Sequence, residues 1–330
     1  MITFEAYMEF INILDIWSVK NHNFNDIALN IFQYQAKNNV VYAKYLELIN
    51  QPPHTIHHFE QIPFLPISFF KTHHVVTGNF VPEHTFESST TTGSTPSKHA
   101  IKDLDLYHTN SLQIIEDKLG KISSYEIFGL LPSYLERGNS SLVDMVQFLM
   151  EHNKQSHHFY LDDFESLIEA MASTSRKKLL FGVSFALLDF AKIHSVQFPD
   201  LTIIETGGMK GRVKEITKLD LYQKLQLSFK ESSIFSEYGM TELLSQAYSD
   251  ENHIYTCPPW MRVLPRKDND PFSHSANGHT AALNIIDLAN IHSCCFIATD
   301  DLGKVYTDGR FEVTGRLDIS DLRGCSLMAV

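Results

Sequence analysis

Residues 86–99 read Phe-Glu-Ser-Ser-Thr-Thr-Thr-Gly-Ser-Thr-Pro-Ser-Lys-His. Consecutive hydroxyl side chains, from Ser88 to Thr92, lead into Gly93, and Lys98 follows shortly after. Hydroxyls, backbone N–H groups beside a glycine and a lysine charge are the donors that polyphosphate oxygens need. The common P-loop pattern G-x-x-x-x-G-K-[ST] is absent. The stretch indicates a phosphate-binding loop of another kind, and a solvated Ser/Thr linker is the alternative.

Strand-like apolar runs alternate with helical segments after this loop. The strand-like runs are Tyr125–Leu131, His158–Leu161, Lys178–Ser184 and Leu201–Glu205. The helical segments lie near residues 103–119, 140–152, 163–172 and 186–195. Such alternation predicts an α/β fold with a doubly wound, mainly parallel sheet that helices cover on both faces.

The two ends of the chain differ from this central pattern. Residues 1–60 are predicted to be a helical N-terminal segment, with apolar residues at helical spacing. Residues 61–264 are predicted to form the α/β nucleotide-binding core. Strand-like runs near 279–289, 295–299, 304–307 and 310–314 follow a polar break, and they predict a smaller β-rich lobe with a C-terminal tail over 265–330.

Composition narrows the class of protein. The chain has 330 residues, 43% of them hydrophobic and 20% charged, which is typical of a globular protein. A formal charge of −12 argues against nucleic acid as a partner, because a nucleic-acid binder needs a basic face. No apolar run is long enough to span a membrane, and acids stand where a signal peptide carries lysines, so we expect a cytoplasmic protein. The four cysteines and 17 histidines lack the spacing of a disulfide framework or a zinc site.

Further motifs follow the loop in a fixed order. They are Ile204-Glu-Thr-Gly-Gly-Met209, Ser236-Glu-Tyr-Gly-Met-Thr-Glu242, and Ala298-Thr-Asp-Asp-Leu-Gly303 with Thr314-Gly-Arg-Leu-Asp318. Their order and spacing resemble the ATP-binding core of the adenylate-forming superfamily, which includes acyl-CoA synthetases and luciferases. Within it, the chain resembles the acyl-protein synthetases of the bacterial bioluminescence fatty-acid reductase complex. Two more segments support that narrower match, Leu131-Pro-Ser-Tyr-Leu-Glu-Arg-Gly-Asn-Ser-Ser141 and Asp321-Leu-Arg-Gly-Cys-Ser-Leu-Met328.

The resemblance implies a role for each motif. Tyr238 would pack on the adenine, with Gly239 and Met240 beside the nucleotide, Thr241 would bind the α-phosphate, and Glu242 would bind Mg²⁺. Asp301 would hold the ribose hydroxyls, and Arg316 would reach the ribose or the α-phosphate. The glycine pair that would run alongside the adenine is Gly207 and Gly208, and the phosphate loop would use Ser88, Ser89, Thr91, Thr92, Gly93 and Lys98.

Two positions depart from the family pattern, and each motif also has a structural interpretation. Thr90 and Asp300 stand where the family has glycine. The Thr241–Glu242 pair could cap a helix N-terminus. Gly207-Gly208 could form a plain β-turn, and residues 299–303 could form a hairpin turn.

The function implied by the resemblance is activation of a carboxylic acid, expected to be a fatty acid, by ATP and Mg²⁺. The sequence stops just past the motif that ends at Asp318, so we expect no mobile C-terminal lid domain. Cys325 matches the cysteine that carries the acyl group as a thioester in the resembled synthetases, and a reductase-like protein would be the partner. One alternative is a ligase that uses coenzyme A or a carrier-protein thiol. Another is an inactive scaffold that binds nucleotide or an acyl partner.

Overall fold

The structure is a computed structural model that describes residues 16–89, 95–132, 138–207, 217–268 and 270–317. The chain divides into two compact units. The first unit comprises residues 1–69, 75–78 and 259–330, and the second comprises residues 70–74 and 79–258.

Eight α-helices lie in the described part of the chain, and they are numbered here in chain order. They are α1 (Phe24–Asn38), α2 (Val40–Leu48), α3 (Phe69–Thr72), α4 (Leu104–Leu119), α5 (Ser141–His152), α6 (Phe164–Ser173), α7 (Ser184–Ile193) and α8 (Lys218–Ser228). Short 3₁₀ turns occur at Ile16–Ser18, Pro53–Thr55, Phe59–Gln61 and Ile122–Ser124.

The strands are numbered in the same way. They are β1 (Leu65–Pro66), β2 (His84–Glu87), β3 (Lys98–Ile101), β4 (Tyr125–Leu130), β5 (Phe159–Tyr160), β6 (Lys177–Gly182), β7 (Val196–Gln197), β8 (Leu201–Glu205), β9 (Phe229–Lys230), β10 (Ser233–Tyr238), β11 (Ala247–Ser249), β12 (Tyr255–Thr256), β13 (Met261–Lys267), β14 (Asp270–His274), β15 (Thr280–Asp287), β16 (Phe296–Val305) and β17 (Phe311–Arg316).

A mainly parallel sheet forms the centre of the second unit. Its strand order is β12-β11-β10-β8-β6-β4-β5, and the five strands from β10 to β5 run parallel to one another. Strands β4, β6 and β8 are almost wholly buried, which explains why the sequence shows continuous apolar runs there and not alternation. The carboxyl ends of parallel strands meet at one edge, where doubly wound folds bind their ligands.

Short polar side chains fix where the helices around this sheet begin. Asp103 accepts a hydrogen bond from the Leu106 N–H at 2.9 Å and caps α4. Ser140, Asp163 and Thr217 cap α5, α6 and α8 in the same way. A cap of this kind satisfies one of the N–H groups that a helix leaves unpaired at its start. The predicted helices therefore begin within two residues of their observed starts.

An antiparallel sheet of order β14-β13-β15-β16-β17 lies in the first unit, and β1 pairs in parallel with β16. The N-terminal helix α1 packs in the same unit through Gln35, which is fully buried. The Gln35 side chain donates to the carbonyls of Asn290, Ile291 and Ser293 and accepts from the Cys295 N–H. Both polar atoms of this side chain are therefore hydrogen-bonded, as is usual for a buried amide.

One element of the β-rich region differs from its prediction. The strands predicted at 295–299 and 304–307 are a single strand, β16, which continues through Asp301 and Gly303. Gly303 makes this possible, because a Cβ there would lie 2.0 Å from the Glu312 carbonyl oxygen of the neighbouring strand. Glycine allows this close approach of two backbones, and the strand pairing shifts register beside it.

The predicted α/β fold with a mainly parallel sheet and additional antiparallel strands is confirmed. Within the described ranges, every helix is too short or too polar to cross a membrane.

Candidate functional site

The base of the Ser/Thr loop is a β-hairpin. Strands β2 and β3 pair with Glu87 opposite Lys98, and the Ser88 N–H donates to the Ser97 carbonyl at 3.0 Å. The Ser97 N–H in turn donates to the Ser88 hydroxyl at 2.9 Å, so this hydroxyl is already engaged. Lys98 Nζ lies 3.2 Å from Glu87 Oε1, and the lysine side chain is 60% exposed. A solvent-exposed pair of this kind is weak, so Lys98 can exchange Glu87 for another anion.

The middle of this loop lies outside the described residues. Thr91, Thr92 and Gly93 fall there, whereas Ser89 is described and partly accessible. Their assignment to a polyphosphate stays a prediction.

The second motif follows the end of β10. Tyr238 is the last residue of that strand and is 8% exposed, and its ring meets that of Tyr255 edge-on at 5.8 Å. Gly239 and Met240 remain accessible. Residues 240–243 form a turn, closed by the Leu243 N–H donating to the Met240 carbonyl at 3.0 Å, so the alternative of a helix start at Thr241 is wrong. A backbone that turns here and continues into β11 leaves no room for a helix.

A buried histidine, His99, hydrogen-bonds to this turn. Nδ1 of His99, on β3, lies 2.8 Å from the Thr241 carbonyl oxygen and donates to it. His99 is 1% exposed and packs edge-on against the ring of Phe70. The contact ties the base of the Ser/Thr loop to the Tyr238–Glu242 motif, so the structure brings these two predicted parts together. No sequence signal singled out His99 for this role.

Glu242 provides the candidate carboxylate for a metal. Its side chain is 5% exposed and lies at the end of the turn. Mg²⁺ binds oxygen ligands and in nucleotide sites uses one or two carboxylates together with phosphate oxygens, so one buried carboxylate fits this ion. No group of three or more metal-ligating side chains occurs among the described residues.

Gly207 lies at the carboxyl end of the neighbouring strand β8. Its backbone has φ = +51°, in the left-handed region that glycine adopts without strain. Its N–H donates to Glu205 Oε1 at 2.9 Å, and its carbonyl accepts from the Ser184 N–H at 3.1 Å. The backbone N–H and carbonyl of Gly207 are therefore both hydrogen-bonded. Gly208 lies outside the described residues.

The sequence did not single out Glu205, whose carboxylate is hydrogen-bonded at this edge of the sheet. Glu205 is 3% exposed, and its carboxylate accepts from the hydroxyls of Ser184 and Ser236 and from the Gly207 N–H. The Ser236 contact is 2.6 Å, and the Tyr222 hydroxyl hydrogen-bonds to Ser236 in turn. These residues come from β8 and the residues after it, from β10, from the start of α7 and from α8. Because its partners are distant in sequence, the network gives no pattern that a motif search could find.

Asp301 and Arg316 lie in the first unit and contact each other. They are opposite one another in the β16–β17 ladder, with Arg316 Nε donating to Asp301 Oδ1 at 2.9 Å. The Asp301 side chain is 9% exposed and that of Arg316 is 57% exposed. Asp301 therefore stands within a strand, and the hairpin-turn alternative for residues 299–303 is wrong.

The cysteines differ in accessibility, and Cys257 is partly accessible. Cys294 and Cys295 are completely buried, and burial raises the pKa of the Cys294 thiol to about 12, so neither thiol is accessible or reactive. Cys325, the predicted acyl carrier, lies outside the described residues, as does Asp318.

No family model matches the chain. A search of characterised proteins finds a long-chain-fatty-acid–luciferin-component ligase from Vibrio harveyi, which is 26% identical over 140 residues. That match covers 39% of this chain and 36% of the relative.

Two solved structures are similar over more of the chain. An open conformation of 2-hydroxyisobutyryl-CoA ligase, in complex with 2-HIB-AMP and CoA, matches with a TM-score of 0.68 at 12% identity. The match covers 91% of this chain and 70% of the ligase chain. O-succinylbenzoate coenzyme A synthetase from Bacillus subtilis, in complex with ATP and magnesium ion, matches with a TM-score of 0.50 at 14% identity, covering 70% and 49%.

These likenesses agree with the resemblance drawn from the motifs. The chain has the fold of the adenylate-forming enzymes, and the fatty-acid–luciferin-component ligase lies in the narrower group that the sequence indicated. The chain spans about a third of that relative and about half of the second structure.

Proposed function

We propose that the chain activates a carboxylic acid with MgATP, giving an acyl adenylate and pyrophosphate, and that the acyl group then passes to a protein thiol. The observation that supports this most is the position of Tyr238–Glu242 at the carboxyl end of β10, beside the hydrogen-bonded Gly207, on a sheet of the adenylate-forming type. Doubly wound sheets bind nucleotides at that edge.

The motif residues that the structure describes would each have a task in this reaction. The difficulty is electrostatic, because an anionic carboxylate must approach an anionic α-phosphate. Thr241 would donate its hydroxyl to the α-phosphate and Tyr238 would pack against the adenine. Glu242 would hold Mg²⁺, which offsets the charge of the triphosphate. Asp301 would accept from the ribose hydroxyls, and Arg316 would contact the ribose or phosphate.

The leaving pyrophosphate would be bound by the Ser/Thr loop. Lys98 would exchange Glu87 for a phosphate oxygen, and the loop hydroxyls and N–H groups would complete the contact. This is a binding task and needs no proton transfer.

The acid would be a long-chain fatty acid, which the name of the Vibrio harveyi relative supports. The thiol would be Cys325, and the partner would be a reductase-like protein that takes the acyl group onward. In that step the thiolate sulfur attacks the acyl carbon, and AMP leaves with the electron pair of the broken C–O bond. We place the reaction in the cytoplasm.

Release of pyrophosphate, measured with a panel of straight-chain acids, tests the first step. We expect acid-dependent release that Glu242→Ala reduces by at least about tenfold, since a metal ligand contributes several kcal/mol to stabilising transition-state charge. Glu169→Ala, at an exposed position on α6, is the matched control and should leave the rate unchanged. If calorimetry finds no binding of MgATP, the enzyme hypothesis fails and the scaffold alternative is favoured.

Labelling with a radioactive fatty acid tests the second step. The wild-type protein should retain hydroxylamine-labile label, and Cys325→Ser should release pyrophosphate without retaining it. Cys294→Ser should still be labelled, because that thiol is buried. Label that appears only on added coenzyme A would replace the protein-thiol proposal with an ordinary ligase.

A further inference from the structure

Glu237 stands immediately before the Tyr238–Glu242 motif, on β10. It lies opposite Tyr248 in the antiparallel ladder of β10 and β11, so the two side chains are neighbours on one face of the sheet. Tyr248 is 3% exposed, whereas Glu237 is partly accessible. The Glu237 carboxyl group lies against the backbone of the motif, because a Cβ on Gly239 would be 2.1 Å from Glu237 Oε1.

Polar atoms without partners collect at this point. Within the described ranges, the buried Tyr248 hydroxyl and the buried Gln246 side-chain oxygen have no hydrogen-bond partner. Gln246 also flanks Gly239, with Cγ 3.5 Å from the position of that Cβ. The Glu237 carboxyl group makes no hydrogen bond to any described residue. Buried polar groups are normally paired, so the unpaired Tyr248 hydroxyl beside an accessible carboxyl group indicates that a ligand with an acceptor oxygen supplies its partner.

The groups around Glu237 disfavour its negative charge. Glu205 on β8, Tyr107 on α4 and Tyr248 on β11 face it, and they bring one carboxylate and no positive charge. His99, on β3, is turned to the Thr241 carbonyl. Burial, and secondly the Glu205 charge, raise the pKa of Glu237 to about 8. At neutral pH the side chain is therefore mostly a carboxylic acid, which can donate a hydrogen bond.

We propose that Glu237 is a substrate-binding residue, whose neutral carboxyl group donates its O–H to the carboxylate of the acid that the chain activates. The proposal rests on the proposed function and names a residue that contacts the acid and not the nucleotide. An ionised Glu237 would repel the substrate carboxylate, whereas the neutral form makes a hydrogen bond to an anionic acceptor, which is about twice as strong as one between neutral groups. Glu237 keeps its proton throughout, so the step consumes none.

Steady-state pyrophosphate release between about pH 6.5 and about pH 9.5, with straight-chain acids from butanoate to hexadecanoate, tests the proposal. In the wild-type protein the KM for the acid should rise about tenfold per pH unit above about pH 8, as Glu237 ionises. Glu237→Gln retains an N–H donor and cannot ionise. Its KM for the acid should stay within about twofold of the wild-type value at pH 7 and remain flat up to the highest pH.

The controls separate binding of the acid from a general effect on the site. Glu237→Ala should raise the KM for the acid at pH 7 by at least about tenfold, because it offers no donor. The KM for ATP should change less than about twofold in both variants, and Glu169→Gln should behave as wild type. A steep rise of KM above pH 8 that persists in Glu237→Gln, or a Glu237→Gln value as poor as that of Glu237→Ala, overturns the proposal.

A second measurement does not depend on turnover. In protein with ¹³C-labelled glutamate carboxyls, the resonance missing from Glu237→Gln is assigned to Glu237, and its titration midpoint is followed as butanoate is added. Binding of the carboxylate to the protonated form must raise the midpoint by linkage. An unmoved midpoint overturns the proposal. If no acid supports pyrophosphate release but the midpoint rises, the proposed function fails and the carboxylate site stands.

Discussion

Two glutamates at the carboxyl ends of neighbouring strands have opposite surroundings. Glu205, on β8, accepts hydrogen bonds from Ser184, Ser236 and the Gly207 N–H. Glu237, on β10, has none from any described residue, and burial raises its pKa to about 8. Both lie at the same edge of the same sheet. The difference teaches that two acids at one sheet edge can differ completely in the hydrogen-bond donors that the surrounding chain supplies to them.

We expect the largest effect on stability from removing the Glu205 carboxylate, which accepts hydrogen bonds from two hydroxyls and one backbone N–H. Glu205→Ala leaves the Ser184 and Ser236 hydroxyls and the Gly207 N–H without an acceptor. We expect a loss of roughly 3–5 kcal/mol in the free energy of unfolding. Urea denaturation measures it, and Glu169→Ala on exposed α6 should change stability by less than about 0.5 kcal/mol. A loss under about 1 kcal/mol would mean that the Glu205 network is not a stabilising element.

Removing the ionisable group of Glu237 should have a smaller effect of opposite sign on the free energy of unfolding. The pKa of Glu237 is raised from 4.5 to about 8 in the folded state. The native state therefore holds this proton longer than the unfolded chain does. Its contribution to stability is complete below the unfolded pKa and is lost as pH rises towards about 8.

Glu237→Gln should accordingly be more stable than wild type at pH 8 by more than about 1 kcal/mol, and the difference should shrink towards pH 5. Urea unfolding of both proteins across this range gives the measurement. A constant difference at every pH would show that Glu237 does not titrate in this window.

A double-mutant cycle sharpens the comparison at the point where Glu237 touches the motif. Gly239→Ala would place a methyl group 2.1 Å from Glu237 Oε1, so the side chain must move. We expect a cost of roughly 1–2 kcal/mol in wild type and less than half of that in the Glu237→Ala background. Equal costs in both backgrounds would place the carboxyl group away from Gly239.

The smallest effect on stability is expected in the first unit. Arg316, the partner of Asp301, is 57% exposed, so Asp301→Ala should cost less than about 1 kcal/mol in the free energy of unfolding. The affinity of the Asp301→Ala variant for ATP should nevertheless fall by about tenfold or more, since a hydrogen bond to a charged group contributes roughly 1.5–3 kcal/mol. Calorimetry with MgATP and a thermal melt separate the two quantities. Unchanged affinity would leave the pair with a structural role only.

Much of the fold could be predicted from local patterns. The helices α4–α7 and strands β4, β6 and β8 were predicted within two residues, because apolar periodicity and capping residues act over short stretches. The error in β16 arose at Asp300, Asp301 and Gly303, where turn-forming residues continue a strand. Cross-strand packing against Glu312 decided that conformation, and the local sequence carries no sign of it.

The sequence alone determined the class of fold, the Tyr238–Glu242 motif and the Ser/Thr stretch, since each depends on patterns among residues that are close together in the chain. Only the tertiary structure decided that His99 holds Thr241, that Glu205 joins β8 to β10 and α7, and that Glu237 stands without a described partner. Hydrogen bonding and desolvation depend on distances between atoms far apart in the chain. Two glutamates that look alike in sequence therefore acquire different hydrogen-bond partners only when the strands that carry them are brought side by side.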